Sequence, residues 1–359
     1  MSSRALIEFR RGADDLVETR HLGTVIVADV TGTVRWHAGD PERRCALRST
    51  AKPFQLLPFV LDGLHESLDA ADLAVLMSSH SGEPMHTTRI AALLERFDLS
   101  PRELRCGAHA PTDAATRDAL ARAGVAPGPL HCNCSGKHAG MLAVCRRRGW
   151  PLESYLEVEH PLQQRIRAIL ATLAGEPGRS LRSSVDGCSL PTWWLGLASL
   201  ARMFACLAEP AAAPDLEGRS PARELALLRD AGLASPEMIA GHTRLDTVLM
   251  RAFPGRVFAK SGAAGLYAMA VPAGAGVPEA LGIAIKIDDG DPDGRIRGLV
   301  ALEVLARIGL APPTPGAALE RLRTLAGRTA RNFRGLDVGT YQPVFELEAP
   351  GPRSRSASG

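Results

Sequence analysis

The sequence predicts an α/β (α+β) fold: a mixed, mainly antiparallel sheet assembled from both ends of the chain, with a helical lobe between them. Three observations carry that expectation. Between Gly23 and Gly39, Val25, Ile26, Val27 and Val30 precede Thr31-Gly32 and are followed by Thr33, Val34 and Trp36, the pattern of a hairpin. From Phe54 to about Pro129, apolar residues recur at three- and four-residue spacing, as on one face of a helix. Beyond Arg256 the apolar runs shorten and are bounded by Gly and Pro. Strands, a long helical middle and further strands imply that the two chain ends share one sheet. A cleft between sheet and helical lobe is then the natural place for a ligand.

Taken in order, the hairpin gives two strands. The helical stretch carries Leu56, Leu57 and Val60, then residues 73–77, then Ile90, Leu93, Leu94 and Phe97. Helices continue over residues 139–147, 162–173 and 193–207. Residues 257–260, 266–271 and 281–287 read as strands, and residues 295–308 as a closing helix with Leu299, Leu302 and Leu305 on one face. Loops fall at residues 210–221 and 312–316, and residues 350–359 are mostly Pro, Ser, Arg and Gly that cannot pack. The division expected is one unit over residues 1–345 and a flexible tail over 346–359. Within the unit, the sheet lobe takes about 1–50 and 250–345, and the helical lobe about 51–249.

With 359 residues, 45% hydrophobic and 23% charged, the chain is large enough to bury a substantial core. Its formal charge of +3 offers no dense basic field, so nucleic acid is a poor partner. No run of eighteen uncharged apolar residues exists to span a membrane, and Arg202 interrupts the most apolar stretch. The first fifteen residues carry Arg4, Glu8, Arg10, Arg11, Asp14 and Asp15 with no apolar core between them, unlike a secretory signal. A cytoplasmic location is expected. Seven cysteines, an odd number, suit a reduced compartment better than a disulfide framework, so their clustering suggests metal or catalysis.

Three constellations can carry chemistry. In Arg48-Ser49-Thr50-Ala51-Lys52-Pro53, a helix starting near Ser49 puts Ser49 and Lys52 on one face, where a neutral lysine can take the proton of a serine nucleophile. The same residues also suit a helix N-cap followed by a solvated lysine. Lys260-Ser261-Gly262 ends an apolar run and is a chemical equivalent of the Lys-Thr-Gly strand that lines the cleft in penicillin-recognising enzymes. By itself it is also a strand end and turn. Ser78-Ser79-His80-Ser81-Gly82-Glu83 supplies a third wall, and two lysines near one site depress each other's pKa by like-charge repulsion. Backbone N–H groups at the helix start and around residues 260–262 are candidates to hold an oxyanion.

The third constellation is His131-Cys132-Asn133-Cys134-Ser135-Gly136-Lys137-His138, with Asp186-Gly187-Cys188 downstream. Thiols and imidazoles at this density favour a borderline cation such as zinc, although the spacing matches no zinc-finger pattern. Buried thiols in a tight turn, or a cysteine nucleophile paired with His138 or His131, fit the same residues.

Arg-Ser-Thr-Ala-Lys-Pro from residue 48, Ser-Ser-His-Ser-Gly-Glu from 78, Cys-Asn-Cys-Ser-Gly-Lys-His-Ala-Gly-Met from 132, Asp-Gly-Cys from 186 and Ala-Lys-Ser-Gly-Ala from 259 resemble the asparaginase II family. This is the rhizobial-type L-asparaginase group, and the resemblance extends to about residue 345. It implies hydrolysis of L-asparagine to L-aspartate and ammonia, on a fold similar to serine β-lactamases and glutaminases, usually as a homodimer. It implies Ser49 as nucleophile paired with Lys52, and Ser81 with Lys260 as a second Ser-Lys tandem. Cys134, Lys137 and Cys188 match the family's zinc ligands, with water completing the shell. At Cys132 the chain departs from the family pattern, in which Asn is the more familiar residue, so an extra thiol could compete as ligand.

For the substrate, Arg48 is the expected partner of the α-carboxylate and Asp186 or Glu83 of the ammonium, with His80 and His138 as polar neighbours or structural hydrogen bonders. Two rival readings use the same residues: a penicillin-recognising-type serine hydrolase on another amide, and a non-catalytic zinc-binding or thiol-sensing protein built on Cys132, Cys134 and Cys188. The first of these works outside the cytoplasm, against the expected location.

Overall fold

The computed structural model describes residues 3–12, 14–274, 276–312 and 316–350. The larger sheet contains β1 (Arg4–Arg11), β2 (Leu16–Ala28) and β3 (Val34–Ala38) from the start of the chain. A smaller sheet contains β4 (Arg44–Ala46), β5 (Arg182–Val185) and β6 (Pro191–Gly196). From the end of the chain the larger sheet takes β7 (Phe258–Ser261), β8 (Leu266–Val271), β9 (Leu281–Ile287), β10 (Thr329–Arg331) and β11 (Asp337–Pro343). Its order is β10-β11-β1-β2-β9-β8-β7, with β3 also paired to β2, and every pair is antiparallel. The mixed fold with a sheet shared by both chain ends is therefore observed, and the joining pairs are β1 with β11 and β2 with β9.

The expected hairpin forms between β2 and β3. Asp29 closes its turn by accepting from the N–H groups of Thr31 and Thr33, while Gly32 takes a positive φ of 87°. Strands β7, β8 and β9 lie where the short apolar runs place them, and all six residues of β8 are buried. Helix Leu197–Ala208 covers this sheet. Its fully buried Leu200, Met203 and Phe204 belong to the one large core, which also takes in Val25, Ile26, Ile283 and Ile285. The closing helix spans Arg295–Arg307, and helices Ser135–Arg148 and Pro161–Ala174 bracket the expected ranges.

Three differences from the sequence reading matter for the site. The helix expected over 193–207 begins only at Leu197, because Trp193, Trp194 and Leu195 lie in β6 and pair with β4 and β5. Their bulky side chains suit a strand as well as an amphipathic helix. The smaller sheet thus ties the chain just before Ser49 to a hairpin inside the helical region. Strand β1 has four consecutive buried residues, Leu6 to Phe9, in a segment read only for its charges. Antiparallel pairing continues to Glu348, which exchanges both backbone hydrogen bonds with His37. Residues 351–359 of the expected tail, and 313–315 of the expected loop, lie outside the described residues.

No helix among the described residues is long and apolar enough to cross a membrane.

Candidate active site

Five segments converge where the sheet meets the helices. The first follows β4: Arg48–Ala51 form a 3₁₀ turn that runs into helix Lys52–Gln55, with the Lys52 N–H bonded to Ser49 O. Arg48 holds a positive φ of 47°, uncommon for a residue with a side chain. Two bonds fix it there: its N–H donates to Thr192 Oγ1 at 3.0 Å, and its Nε to Asp186 Oδ1 at 2.7 Å. Strain of this kind, held by partners on β6 and on the β5–β6 turn, fixes the orientation of Ser49, which is half-buried.

The Lys52 amine is buried, and burying an amine is tolerable only with acceptors around it. It has three: Ser78 O, Ser79 Oγ at 2.9 Å and Asn133 O at 3.2 Å. From β7, the fully buried Lys260 amine reaches the same Ser79 hydroxyl at 3.1 Å and also its neighbour's carbonyl, Ser261 O, at 3.0 Å. Two amines far apart in sequence therefore share one serine oxygen. Burial pushes the Lys260 amine down to about 7; the Asp246 carboxylate opposes this, and the charges of Lys52 and Arg244 add to it. An amine lowered into this range can give up its proton near neutral pH, as a general base requires.

This network differs from the expected tandems. Among the described residues no hydrogen bond joins the Ser49 hydroxyl to the Lys52 amine, and Lys260 bonds Ser79 rather than Ser81. Ser81 instead donates to Glu83 Oε1 at 2.5 Å, and Glu83 is held by His242 Nδ1 at 2.6 Å. Burial alone would raise the Glu83 carboxyl, but hydrogen bonds from Ser81 and His242 bring it below its usual value. Ser79 was present in the Ser78–Glu83 run, but serine spacing alone could not show which of its three buried hydroxyls meets the two amines. The backbone donors expected at residues 261 and 262 are occupied: the Ser261 N–H donates to Asp246 Oδ1 and the Gly262 N–H to Leu266 O.

Arg48 and Asp186, expected on opposite ends of the substrate, are bonded to each other. His80 is fully buried, accepts the Gly82 N–H at Nδ1 and so presents Nε2–H to Ser135 Oγ at 2.9 Å. His138 is buried too, with Nδ1 2.6 Å from Tyr155 OH. Burial pushes both imidazoles well below their usual value, helped by nearby cations, and they stay neutral. Both act as hydrogen bonders within the core.

The cysteine constellation does assemble. Helix Ser135–Arg148 brings Cys134 and Lys137 to the β5–β6 turn, which carries Cys188, and Lys137 Nζ lies 3.2 Å from Cys188 Sγ. Close packing against helix Ala70–Leu76 requires glycine at 136, where a Cβ would stand 2.0 Å from Val75 O. Hydrogen bonds with Cys132 and then Cys188 hold the Cys134 thiol well below its usual value. Burial alone would lower the Lys137 amine, but the charges of Cys188, Cys134 and Asp186 raise it overall. Two sulfurs and an amine so placed fit a soft or borderline divalent cation, provided the amine gives up its proton. Among the described residues no three of His, Cys, Asp or Glu are grouped to hold a metal, so such a site depends on Lys137. Cys132 adjoins Cys134, and its Sγ donates to Cys106 O at 3.5 Å.

A serine on a strained turn, near buried amines of which one has its pKa lowered by burial to about 7, is the equipment of a hydrolase that breaks acyl bonds. Residues 7–343 match the L-asparaginase II family, and the chain belongs to that family; it is an amidohydrolase. No curated protein matches the sequence. Among solved structures it is similar to Mglu (16% identity, 82% of this chain and 69% of that chain, TM-score 0.44). It is also similar to a probable glutaminase from Bacillus subtilis complexed with 6-diazo-5-oxo-L-norleucine (14% identity, 80% of this chain and 84% of that one, TM-score 0.42).

Proposed function

We propose that the protein is an L-asparaginase that hydrolyses the side-chain amide of L-asparagine to L-aspartate and ammonia through an acyl-enzyme on Ser49. Family membership supports the substrate class, and the observation that carries the mechanism is the sharing of Ser79 Oγ by Lys52 and Lys260. Ser49 is the hydroxyl open to a substrate, since Ser79 is only 3% exposed.

Ser49 Oγ attacks the amide carbon and its proton passes to Lys52, one turn along. Lys52 can accept it only when uncharged, and the Ser79 hydroxyl relays protons between Lys52 and Lys260, whose near-neutral pKa lets it empty and refill at physiological pH. The C–N bond breaks, the proton leaves with ammonia, and water cleaves the serine ester to release aspartate. Cys134, Lys137 and Cys188 would hold zinc, which would supply a Lewis-acidic centre with an open position for orienting the substrate. Preference for asparagine over glutamine rests on one methylene, which a pocket discriminates by about 1–3 kcal/mol.

The test is ammonia release from L-asparagine and L-glutamine by purified protein with and without added zinc, alongside Ser49→Ala. Ammonia from asparagine that is lost in the variant supports the proposal. Turnover that survives Ser49→Ala excludes it.

A further inference from the structure

At the end of β7 lies a cavity of about 310 Å³, lined by Thr112, Arg244, Asp246, Ser261, Asp293 and Arg297 among others. That volume suits a small molecule, for which sites run from roughly 300 to 1,000 Å³. The cavity adjoins the site already described in two ways. Ser261 follows Lys260 and its N–H is held by Asp246. A Cβ on Gly241 would stand 2.0 Å from Ser81 Oγ, so the segment leading to Arg244 and Asp246 lies directly on the serine loop.

Charges in this cavity are unevenly satisfied. Arg297 is fully engaged: its guanidinium bonds the Asp291 carboxylate at 3.1 Å, Gly262 O at 3.0 Å and Asp291 O at 3.2 Å. Arg244 is half-buried at the start of helix Leu245–Ala252, and its guanidinium makes no hydrogen bond or ion pair with any described residue. Asp246 is completely buried; its Oδ1 takes the Ser261 N–H, while Oδ2 has no hydrogen-bond partner among the described residues. Buried carboxylate oxygens without donors are rare because desolvation goes uncompensated. An unpaired guanidinium and an unpaired carboxylate oxygen on one cavity wall complement a molecule that carries a carboxylate and an ammonium on one carbon. The Arg48–Asp186 pair, by contrast, satisfies itself.

We infer that this cavity is the subsite for the α-amino and α-carboxylate groups of the amino-acid substrate, with Arg244 on the carboxylate and Asp246 Oδ2 on the ammonium. The inference rests on the amidohydrolase reading above, and it assigns specificity to residues outside the Ser-Lys motifs.

The experiment compares wild type, Arg244→Ala and Arg244→Lys by kinetics on L-asparagine and on 3-aminopropanamide, which lacks the α-carboxylate, and by calorimetric titration with L-aspartate. Melting curves confirm that each variant is folded. Arg244→Ala should raise KM for asparagine roughly 10- to 100-fold with kcat little changed, weaken L-aspartate by a similar factor, and be partly rescued by lysine. Its constants for 3-aminopropanamide, as substrate or as inhibitor, should shift far less than those for asparagine, since only the influence of the Arg244 charge on Lys260 is lost there. Unchanged KM and aspartate affinity would overturn the assignment. So would an equal loss on both amides, which would mean that Arg244 acts through Lys260. Failure of the underlying reading looks different: wild type then releases no ammonia. In that case aspartate binding that vanishes in Arg244→Ala still supports the subsite, and absent binding overturns it.

Discussion

Lys52 and Lys260 converge on a single oxygen, Ser79 Oγ, at 2.9 and 3.1 Å. One comes from the first helical turn after β4 and the other from β7, so the shared hydroxyl joins the helical region to the sheet. Two amines packed this closely cannot both stay charged cheaply, and the Lys260 amine yields.

The first prediction concerns pH. Because Lys260 is pushed down to about 7, it is protonated below that value and free to accept a proton above it. The kcat/KM for asparagine should therefore rise through pH 7 as a single deprotonation and level off above. Lys260→Met should lose roughly 10²–10⁴-fold in rate and with it the inflection near 7. Stability has its own sign: an amine with a lowered folded pKa favours the folded state most when it is neutral in both states. Stability from this group falls as pH drops from the ordinary lysine value to about 7 and is level below, and melting curves across that window check it.

Removing the relay should be milder than removing the nucleophile. Ser79→Ala leaves both amines buried without a shared acceptor, and is expected to slow turnover by about 10- to 100-fold and to move the inflection in the pH profile. Ser49→Ala should cost at least about 10³-fold in kcat with an unchanged melting temperature, because Ser49 Oγ bonds nothing in the described fold. Stopped-time ammonia assays separate the two.

A packing prediction tests how the cysteine cluster is placed. Gly136→Ala would drive a Cβ into the Val75 carbonyl and force helix Ser135–Arg148 off helix Ala70–Leu76. The expected cost is about 1–3 kcal/mol, read from denaturant midpoints, together with weaker zinc binding as Cys134 and Lys137 move from Cys188.

Zinc binding itself should depend on pH and on Lys137. Equilibrium dialysis is expected to show affinity that falls as pH drops, since thiols and amine must both lose protons to bind. Lys137→Met should abolish it, while Cys132→Ser should weaken it less, because Cys132 Sγ donates to Cys106 O and acts on the cluster through its hydrogen bond with Cys134. Chelation should weaken asparagine binding more than it slows the chemical step.

Much of this was legible in the sequence, for physical reasons. The strands over 258–287 and the helices over 135–174 declare themselves through apolar periodicity, and the five motifs touch one another through side-chain hydrogen bonds. What stayed hidden depends on tertiary contact. β1 hides its buried residues among arginines and glutamates that pair across the strand surface, and Trp193-Trp194 fits strand or helix until β4 arrives beside it. Ser79 differs from Ser78 and Ser81 only in which way the chain turns after helix Ala70–Leu76. Arg244 and Asp246 carry no motif at all; their meaning lies in partners they lack.

The most direct measurement is peptide mass spectrometry of protein quenched in acid during turnover of L-asparagine. The account predicts an aspartyl ester on the peptide containing Ser49, absent in Ser49→Ala. An adduct on Ser79, Ser81 or a cysteine, or continued ammonia release by Ser49→Ala, would contradict it.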